Sequence, residues 1–303
     1  MRIVSGVVLA LICIPAALAQ TAGRSFVSAG GGSDSNPCTR ALPCRSFGAA
    51  LAATVAGGEV IALDSGGYGP VSIGKSISIV SPAGVYAGIT GSVPLTPGIA
   101  INAGASDVIV LDGLTLNSTG SHDGIDIVTA GAVSVRNVRI TGFPDEGIFL
   151  TAPADVVIAD TTLRANGDGI DAKCSTAATL SIEHSTFEHN DLTGILVDDN
   201  IGASIRNSVI HGTYSGVGLK VAPTTSGATS QVDVEGCILT GNFSGIRSGG
   251  DAGTADVRVS NSTITQNIFG LNTNGGSTLT SRTNNTLAAN GTDGAFTGTF
   301  AAQ

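Results

Sequence analysis

Large rings and charged side chains are scarce in this sequence. Aromatic residues make up 4% of the 303 residues, tryptophan is absent, and charged residues make up 12%. With so few rings, we expect a narrow core filled by valine, isoleucine, leucine and alanine. No segment shows a sustained helical stripe of apolar residues, and this absence excludes a largely helical fold.

Basic residues are also few. The chain has 14 Lys and Arg against 23 Asp and Glu, a formal net charge of -9. Such an acidic surface argues against nucleic acid and anionic membranes as partners, because both repel negative charge. Acidic sugars are still permitted, since a local basic strip or a bound cation can reverse the field at one place.

Several familiar catalytic signatures are missing. The sequence contains no G-x-S-x-G nucleophile elbow, no phosphate-binding glycine loop and no histidine pair at metal-binding spacing. Glu183 and Glu188 precede His184 and His189, but outward strand positions are commonly polar, so a metal site there is not favoured. Any chemistry must therefore come from carboxylates, lysine or arginine.

Only the N-terminus carries a long apolar run. Residues 1–19 have a basic start at Arg2, an apolar stretch over 4–16 and a small-x-small site at Ala17–Ala19. This pattern predicts a cleaved signal peptide and secretion, either to the periplasm or outside the cell. The run is short for a membrane span, and no second run follows, so no membrane insertion is expected.

Two cysteines lie close together near the N-terminus. Cys38 and Cys44 bracket the loop CTRALPC, and no other cysteine or histidine is near them in sequence. In an oxidising compartment this spacing favours a disulfide over a metal site.

The rest of the chain repeats itself in two columns. The first column is the third residue of segments such as LDGLTL (111–116) and VRNVRI (135–140). Its members are Gly113, Asn137, Asp160, His184, Asn207, Gly236, Asn261 and Asn284, spaced 23 to 29 residues apart. The second column is a glycine followed by an apolar residue: Gly124, Gly147, Gly169, Gly194, Gly216, Gly245, Gly270 and Gly294.

A fixed period of this length indicates a solenoid. Apolar residues alternate within each period, as in strands, and the recurring Asn and Gly tolerate the positive φ of tight turns. The sequence therefore predicts an all-β fold: a single-stranded right-handed parallel β-helix with three short strands per turn. We place an N-terminal cap with a short helix at residues 20–58 and the β-helix at residues 59–303. Cys174 and Cys237, three turns apart, should remain separate thiols.

Residues 45–80 give the clearest resemblance to a known family. RSFGAALAATVAGGEV, compatible with a helix ending at Gly57-Gly58, is followed by VIAL and GGYGPVSIGKSISIV. This arrangement resembles the N-terminal cap and first coils of the pectate-lyase-like right-handed β-helix superfamily, and the later copies resemble its carbohydrate-binding and sugar-hydrolase repeats. The resemblance covers roughly residues 45 to 295 and implies the fold more strongly than any one activity.

Acidic residues precede the glycine column on three consecutive turns. Asp123, Glu146 and Asp168 occupy this position, so neighbouring members should lie about 5 Å apart. Stacked carboxylates repel each other or collect a cation, and hard oxygen ligands suit Ca²⁺. We predict a Ca²⁺ site at these three residues. Acids before glycine are also ordinary turn residues, and that alternative stays open.

Outward positions two and four residues after the glycine form a polar surface. They include Asp126, Phe149, Asp198, Lys220 and Arg247. Acids, an exposed ring and separated bases on one flat face are typical of a saccharide-binding surface, and we assign these five residues to substrate binding.

The segment NGDGIDA (166–172) carries the predicted catalytic residues. Within the superfamily, Asn166 to Asp171 resembles the Asn-x-Asp motif of polygalacturonases, with Asp168 at the conserved aspartate. The next turns carry Thr193-Gly194 and Ser215-Gly216 in place of that family's motifs. The resemblance implies Asp168 as the centre, with Lys173 as the base of a lyase or Asp171 assisting a hydrolase.

Taken together, these patterns predict a secreted β-helix that binds, and as a lyase or glycoside hydrolase cleaves, acidic polysaccharide. The competing hypothesis is a non-catalytic surface or matrix protein that mediates adhesion to glycan or protein. The incomplete catalytic motifs leave both open.

Overall fold

A coil of short β-strands, three to each turn, makes up almost the whole of the described chain. The computed structural model describes residues 22–151, 153–250 and 252–301. The predicted signal peptide, residues 1–19, lies outside the described residues. One helix, α1 (Phe47–Ala53), precedes the regular turns.

The strands form three parallel sheets. Sheet 1 has twelve strands: Ala22–Val27, Thr54–Ala62, Ile77–Val80, Val108–Asp112, Ala132–Arg136, Asp155–Ala159, Ala178–Glu183, Ile201–Arg206, Thr229–Glu235, Thr254–Ser260, Thr278–Ser281 and Gly298–Thr299. Sheet 2 has ten strands: Gly66–Gly67, Ala87–Gly91, Leu114–Ser118, Arg139–Thr141, Thr162–Arg164, Thr186–Glu188, Val209–His211, Ile238–Thr240, Thr263–Thr265 and Thr286–Ala288. Sheet 3 has nine strands: Val71–Ile73, Ile99–Asn102, Ile125–Thr129, Glu146–Leu150, Asp168–Ala172, Thr193–Val197, Val217–Val221, Ser244–Ser248 and Phe269–Thr273.

Each strand pairs with the corresponding strands of the previous and next turns. In sheet 3, for example, Ile148 is paired with Ile125 on one side and with Ile170 on the other. The order of strands in each sheet follows the order of the turns along the chain. The predicted parallel β-helix with three strands per turn is confirmed.

The first column of the repeat forms the corner between sheets 1 and 2. Gly113, Asn137, Asp160, His184, Asn207, Gly236 and Asn261 all have positive φ, between 47° and 75°. Residues with short polar side chains, and glycine, reach this region of φ most easily, which explains the composition of the column. His184 therefore occupies a turn position.

The core is a stack of aliphatic side chains. Sheet 3 contributes one paired residue per turn: Ile125, Ile148, Ile170, Ile195, Leu219, Ile246 and Leu271. These side chains are at most 6% exposed. Phe143, in the corner between sheets 2 and 3, and Phe187, on a strand of sheet 2, are fully buried. Burying this apolar surface supplies the main stabilising free energy of the coil.

A buried amide ladder runs along the corner between sheets 2 and 3. Asn166 donates from Nδ2 to Oδ1 of Asn190 at 3.2 Å. Asn242 donates in the same way to Asn267 at 3.1 Å, and Asn267 to Asn290 at 2.9 Å. Each amide oxygen also accepts a backbone N–H of the preceding turn. The ladder therefore satisfies buried polar groups that a bend in the chain would leave without partners.

The N-terminal end of the coil is closed by α1 and a disulfide. Ser46 caps the helix by accepting the N–H of Ala49 at 3.2 Å. Phe47 is buried against Tyr68, with ring centroids 4.8 Å apart. Cys38 and Cys44 form the predicted disulfide.

The helix is shorter than the sequence pattern predicts. It ends at Ala53, and Thr54–Ala62 is a strand of sheet 1 that continues through Gly57 and Gly58. The β-branched pair Thr54-Val55 favours the strand, because such side chains lose rotamer freedom in a helix. The predicted boundary between residues 58 and 59 falls inside this strand, so cap and coil share one sheet.

Two buried cysteines remain as separate thiols, as predicted. Cys174 and Cys237 carry no disulfide in the described chain, and burial raises the pKa of both thiols. Within the described residues, no helix has the length and apolar character needed to cross a membrane.

Candidate functional site

The outer face of sheet 3 carries side chains aligned from turn to turn. The central column, which we name the strip, contains paired residues: Asp126, Phe149, Asp171, Leu196, Lys220, Arg247 and Asn272. Neighbouring strands lie about 4.8 Å apart, so each side chain of the strip is next to the following one. Half-buried Phe149 lies between Asp126 and Asp171.

Lys220 belongs to a different column from the one predicted. Thr193 pairs with Val217, and Leu196 with Lys220, so Gly218 and not Gly216 occupies the glycine column. The corner before this strand contains one residue more than the preceding corner, which shifts the register. Gly216 lies in that corner, where a Cβ would overlap the carbonyl of Leu192. The shift places Lys220 directly beside Arg247.

The three predicted metal-ligating acids lie on one edge of sheet 3. Glu146 and Asp168 are paired across neighbouring strands. Oδ1 of Asp123 accepts the backbone N–H of Glu146 at 3.2 Å, so Asp123 is adjacent on the other side. Asp123 and Asp168 are each only 8% exposed. Carboxylates that are this close together and this deeply buried repel one another unless they are protonated or share a cation.

Two neighbours of these acids were missed by sequence reasoning. His122 Nε2 lies 2.5 Å from Oδ2 of Asp145, and His122 Nδ1 lies 3.5 Å from Oδ1 of Asp123. One ligand atom from each of His122, Asp123, Asp145 and Glu146 lies within 4.8 Å of the others. We name these four residues the His–acid cluster. The sequence did contain a signal of this cluster: the dipeptides His122-Asp123 and Asp145-Glu146 lie 23 residues apart, one turn of the coil.

Asp168 stands outside the His–acid cluster. It stacks on Glu146, but its ligand atoms are not among the four that converge. Its Oδ1 is buried and has no hydrogen-bond partner in the described chain. The same holds for Oδ1 of Asp126 and of Asp171 on the strip. Three carboxyl oxygens on one face are therefore available to a ligand, a proton or a cation.

Burial, reinforced by neighbouring acids, raises the pKa of several of these carboxyls. Burial, reinforced by the charges of Asp168 and Asp198, raises the pKa of Asp171 to about 7. Burial and a hydrogen bond with Asp123 raise the pKa of Glu146 far above the usual range of a carboxyl. The pKa of Asp168 is also raised, chiefly by burial. A carboxyl with a pKa near 7 can donate or accept a proton under neutral conditions.

Lys173, the predicted base, has two partners. Its Nζ lies 3.3 Å from Oδ2 of Asp198 and donates to Oγ1 of Thr224 at 3.0 Å. Asp198, predicted to bind substrate, also accepts the backbone N–H of Thr224 at 3.0 Å. The geometry therefore favours a positioning role for Lys173 over the role of a base.

Lys220 and Arg247 form a small basic pocket. Together with Leu196, Asp198 and Thr224 they line a cavity of about 120 Å³ on the strip. Nε of Arg247 is buried and has no hydrogen-bond partner among the described residues. A buried guanidinium N–H without an acceptor is unfavourable, so the pocket is suited to an anionic group.

Comparisons with known proteins agree with this architecture. Residues 123–290, more than half of the chain, match a family model described as right handed beta helix region. No curated protein matches the chain. Solved structures with the same fold include pectate lyase Pel9A, with a TM-score of 0.71 and 17% identity over 92% of this chain and 78% of that one.

Two further structures are similar. An alginate lyase from Paenibacillus sp. str. FPU-7 has a TM-score of 0.63 and 15% identity, covering 89% of this chain and 97% of its own. XylC, solved in complex with xylose, has a TM-score of 0.58 and 10% identity, covering 83% and 70%. At these identities the similarity establishes the fold.

Proposed function

The chain belongs to the right-handed β-helix family, and from this premise we propose that it binds acidic polysaccharide along the strip of sheet 3. Two structures with the same fold are named as lyases of pectate and alginate, both acidic polymers. The observation that carries the proposal is the basic pocket, in which Lys220 and the unpartnered Nε of Arg247 lie side by side. A carboxylate of the polymer would supply the missing acceptor.

Ca²⁺ is the proposed cofactor. The residues fit a small hard cation in three respects: carboxylates converge within 4.8 Å, three further carboxyl oxygens lack partners, and the acids repel one another. Asp123 and Glu146 would hold the ion, joined by Asp145, while Asp168 faces it from the next turn. His122 is a ligand less typical of Ca²⁺, which prefers oxygen. A bound cation would relieve the repulsion and bring polymer carboxylates to an acidic surface.

Cleavage is the finer proposal. In elimination, Asp171, with a pKa near 7, would accept the C5 proton of the sugar as the C4–O bond breaks, and the leaving oxygen would take a proton from water. In hydrolysis, protonated Asp171 would donate to the glycosidic oxygen while water attacks the anomeric carbon, and Asp168, three residues earlier on the same strand, would contact the same sugar. Lys173, held by Asp198 and Thr224, positions the polysaccharide. Elimination would release unsaturated ends, and hydrolysis would release reducing ends, so the product identifies the reaction.

The decisive experiment uses polygalacturonate and alginate with and without Ca²⁺. We expect retention of the protein on both polymers and product formation that falls at least about 100-fold in Asp171→Asn, because the transferred proton is lost. Asp233→Asn, an exposed position on sheet 1, is the matched control. Absence of binding to any acidic polymer would refute the proposal.

A non-catalytic adhesion protein is the second candidate. It is favoured by the incomplete motifs around Thr193-Gly194 and by the ion pair of Lys173. Such a protein would retain glycans without releasing products, and Asp171→Asn would leave retention unchanged.

Export is proposed as well. The Cys38–Cys44 disulfide is typical of proteins that fold in an oxidising compartment. Expression of the full chain in a bacterial host with export machinery should yield mature protein starting at Gln20. An uncleaved N-terminus on cytoplasmic protein would contradict this.

A further inference from the structure

Exposed apolar side chains follow the corner between sheets 2 and 3 in the C-terminal half of the coil. We name them the apolar row: Leu192, Tyr214, Phe243, Ile268 and Phe269. They are between 37% and 68% exposed. Single exposed apolar residues are ordinary on a protein surface. A line of them on neighbouring turns is typical of a binding surface.

The members of the apolar row lie on consecutive turns. The carbonyl of Leu192 accepts the N–H of Val217, just after the corner that contains Tyr214. One turn further, Phe269 donates its N–H to the carbonyl of Phe243 at 2.9 Å. The rings of Phe243 and Phe269 meet edge to face, with centroids 5.4 Å apart. The row therefore advances by one strand spacing per turn, parallel to the strip.

The same corner is charged in the N-terminal half. His122 and Asp145 occupy it there and pair with each other across the turn. Polar side chains are thus compatible with the corner, so its geometry does not require apolar residues at Tyr214 or Phe243. The ring of Tyr214 packs on His189, with centroids 5.6 Å apart, and that of Phe243 on Phe269, yet these rings remain partly exposed and accessible to a ligand.

The shape of the row favours a linear occupant. A stable protein interface takes about 20–30 residues from each side, whereas the row is a single line one side chain wide. The row also runs beside Lys220 and Arg247, since Arg247 is four residues after Phe243, roughly 13 Å along the chain, and Lys220 is six residues after Tyr214. A polymer that presents both an apolar ring face and an anionic group matches the two features together.

We propose that the apolar row stacks against the pyranose rings of the acidic polysaccharide whose carboxylates enter the basic pocket. Sugar rings have C–H faces that pack on aromatic rings, and their hydroxyls remain in water, as suits a half-exposed surface. The inference rests on the proposed function and assigns the C-terminal half of the face to ring stacking.

The test measures the affinity of polygalacturonate for purified protein by calorimetry. Tyr214→Ala and Phe243→Ala should each weaken binding about three- to tenfold, the range expected for loss of one stacking contact. Phe243→Tyr should retain the affinity. Ile238→Ala, an exposed apolar residue of sheet 2 outside the row, is the matched control and should bind like the unchanged protein. Circular dichroism and melting temperature confirm that every variant folds.

A second polymer separates this inference from the proposed function. In carboxyl-reduced polygalacturonate the rings remain and the charges are gone, so its binding should still depend on Tyr214 and Phe243. Equal affinities for the Tyr214→Ala and unchanged proteins would overturn ring stacking and leave the proposed function intact. Row-dependent binding without preference for the acidic polymer would overturn the proposed function alone. Self-association that disappears in Phe243→Asp would identify the row as a contact between two copies and overturn the inference.

Discussion

The two halves of the sheet 3 face have the same backbone and opposite chemistry. The N-terminal half carries Asp126, Asp171 and the His–acid cluster. The C-terminal half carries Lys220, Arg247 and the apolar row. Inward residues are aliphatic in both halves and pair in an unbroken series. Packing in the core therefore requires aliphatic residues at the inward positions of sheet 3. The residues at the outward positions can differ between the two halves.

The electrostatic consequences also differ between the halves. In the N-terminal half burial, reinforced by the charges of neighbouring acids, raises the pKa of Glu146, Asp168 and Asp171. In the C-terminal half, Lys220 interacts electrostatically with Asp168 and Asp171, and Arg247 has a buried N–H donor without an acceptor among the described residues. Each half is thus incomplete in a complementary way, since one requires a cation or protons and the other an anion.

Charge reversal of the basic half should have the largest effect. In the double variant Lys220→Glu and Arg247→Glu, both halves of the face are acidic. We expect acidic polysaccharide to bind this variant about 100-fold more weakly, a loss of about 2.7 kcal/mol in binding free energy. The affinity for polygalacturonate is measured at low and at physiological salt. Arg258→Glu on sheet 1 is the control. Unchanged affinity in the double variant would show that the halves do not divide the binding as we propose.

Neutralising Asp171 should change how stability depends on pH. Its native pKa of about 7 exceeds the value of about 3.9 expected in the unfolded chain, so the native state retains a proton that the unfolded state releases. The contribution of Asp171 to the free energy of unfolding should therefore fall as the pH rises from about 4 to about 7 and then level off.

Asp171→Asn removes this dependence. At pH 8 the variant should be more stable than the unchanged protein, by about 2 kcal/mol, and at pH 4 the difference should vanish. Urea unfolding at both pH values measures it. Asp233→Asn on the exposed face of sheet 1 should show no such difference. A variant destabilised equally at both pH values would mean that Asp171 is not protonated at neutral pH.

Ca²⁺ should have a smaller effect, confined to the N-terminal half. At ten times its dissociation constant, a bound ion stabilises the native state by about 1.4 kcal/mol, and the melting temperature should rise by a few degrees. Glu146→Gln should abolish this shift and Arg247→Gln should preserve it. Mg²⁺ at the same concentration serves as the ionic control. A shift in both variants would place the ion elsewhere.

The strand columns could be predicted because the chain repeats. Residues 22 to 29 apart become neighbours, so the adjacency of Glu146 and Asp168 followed from spacing alone. The Cys38–Cys44 disulfide followed from local spacing in the same way. These features depend on one period or one short loop, and both are visible in a sequence.

Features that depend on corner geometry could not be predicted. The additional residue before Val217 moved Lys220 into the strip, and the spacing of glycines alone did not show it. The partner of Lys173, Thr224, is 51 residues away, on the loop between the strands Val217–Val221 and Thr229–Glu235. Likewise, His122 meets Asp145 only because both side chains turn toward the same corner. Such contacts are set by loop conformation, which no periodic pattern encodes.

The buried asparagine ladder has a further consequence for how this surface can change. Each amide contacts only the turns directly above and below it, so the coil is stabilised by nearest-neighbour contacts. Adding or deleting one complete turn between residues 172 and 217 would keep every inward contact type. It would change the separation of the carboxyl-rich and cationic regions by one increment of about 4.8 Å. The length of glycan spanned by one molecule is thus adjustable in whole turns, with the local structure of both regions preserved.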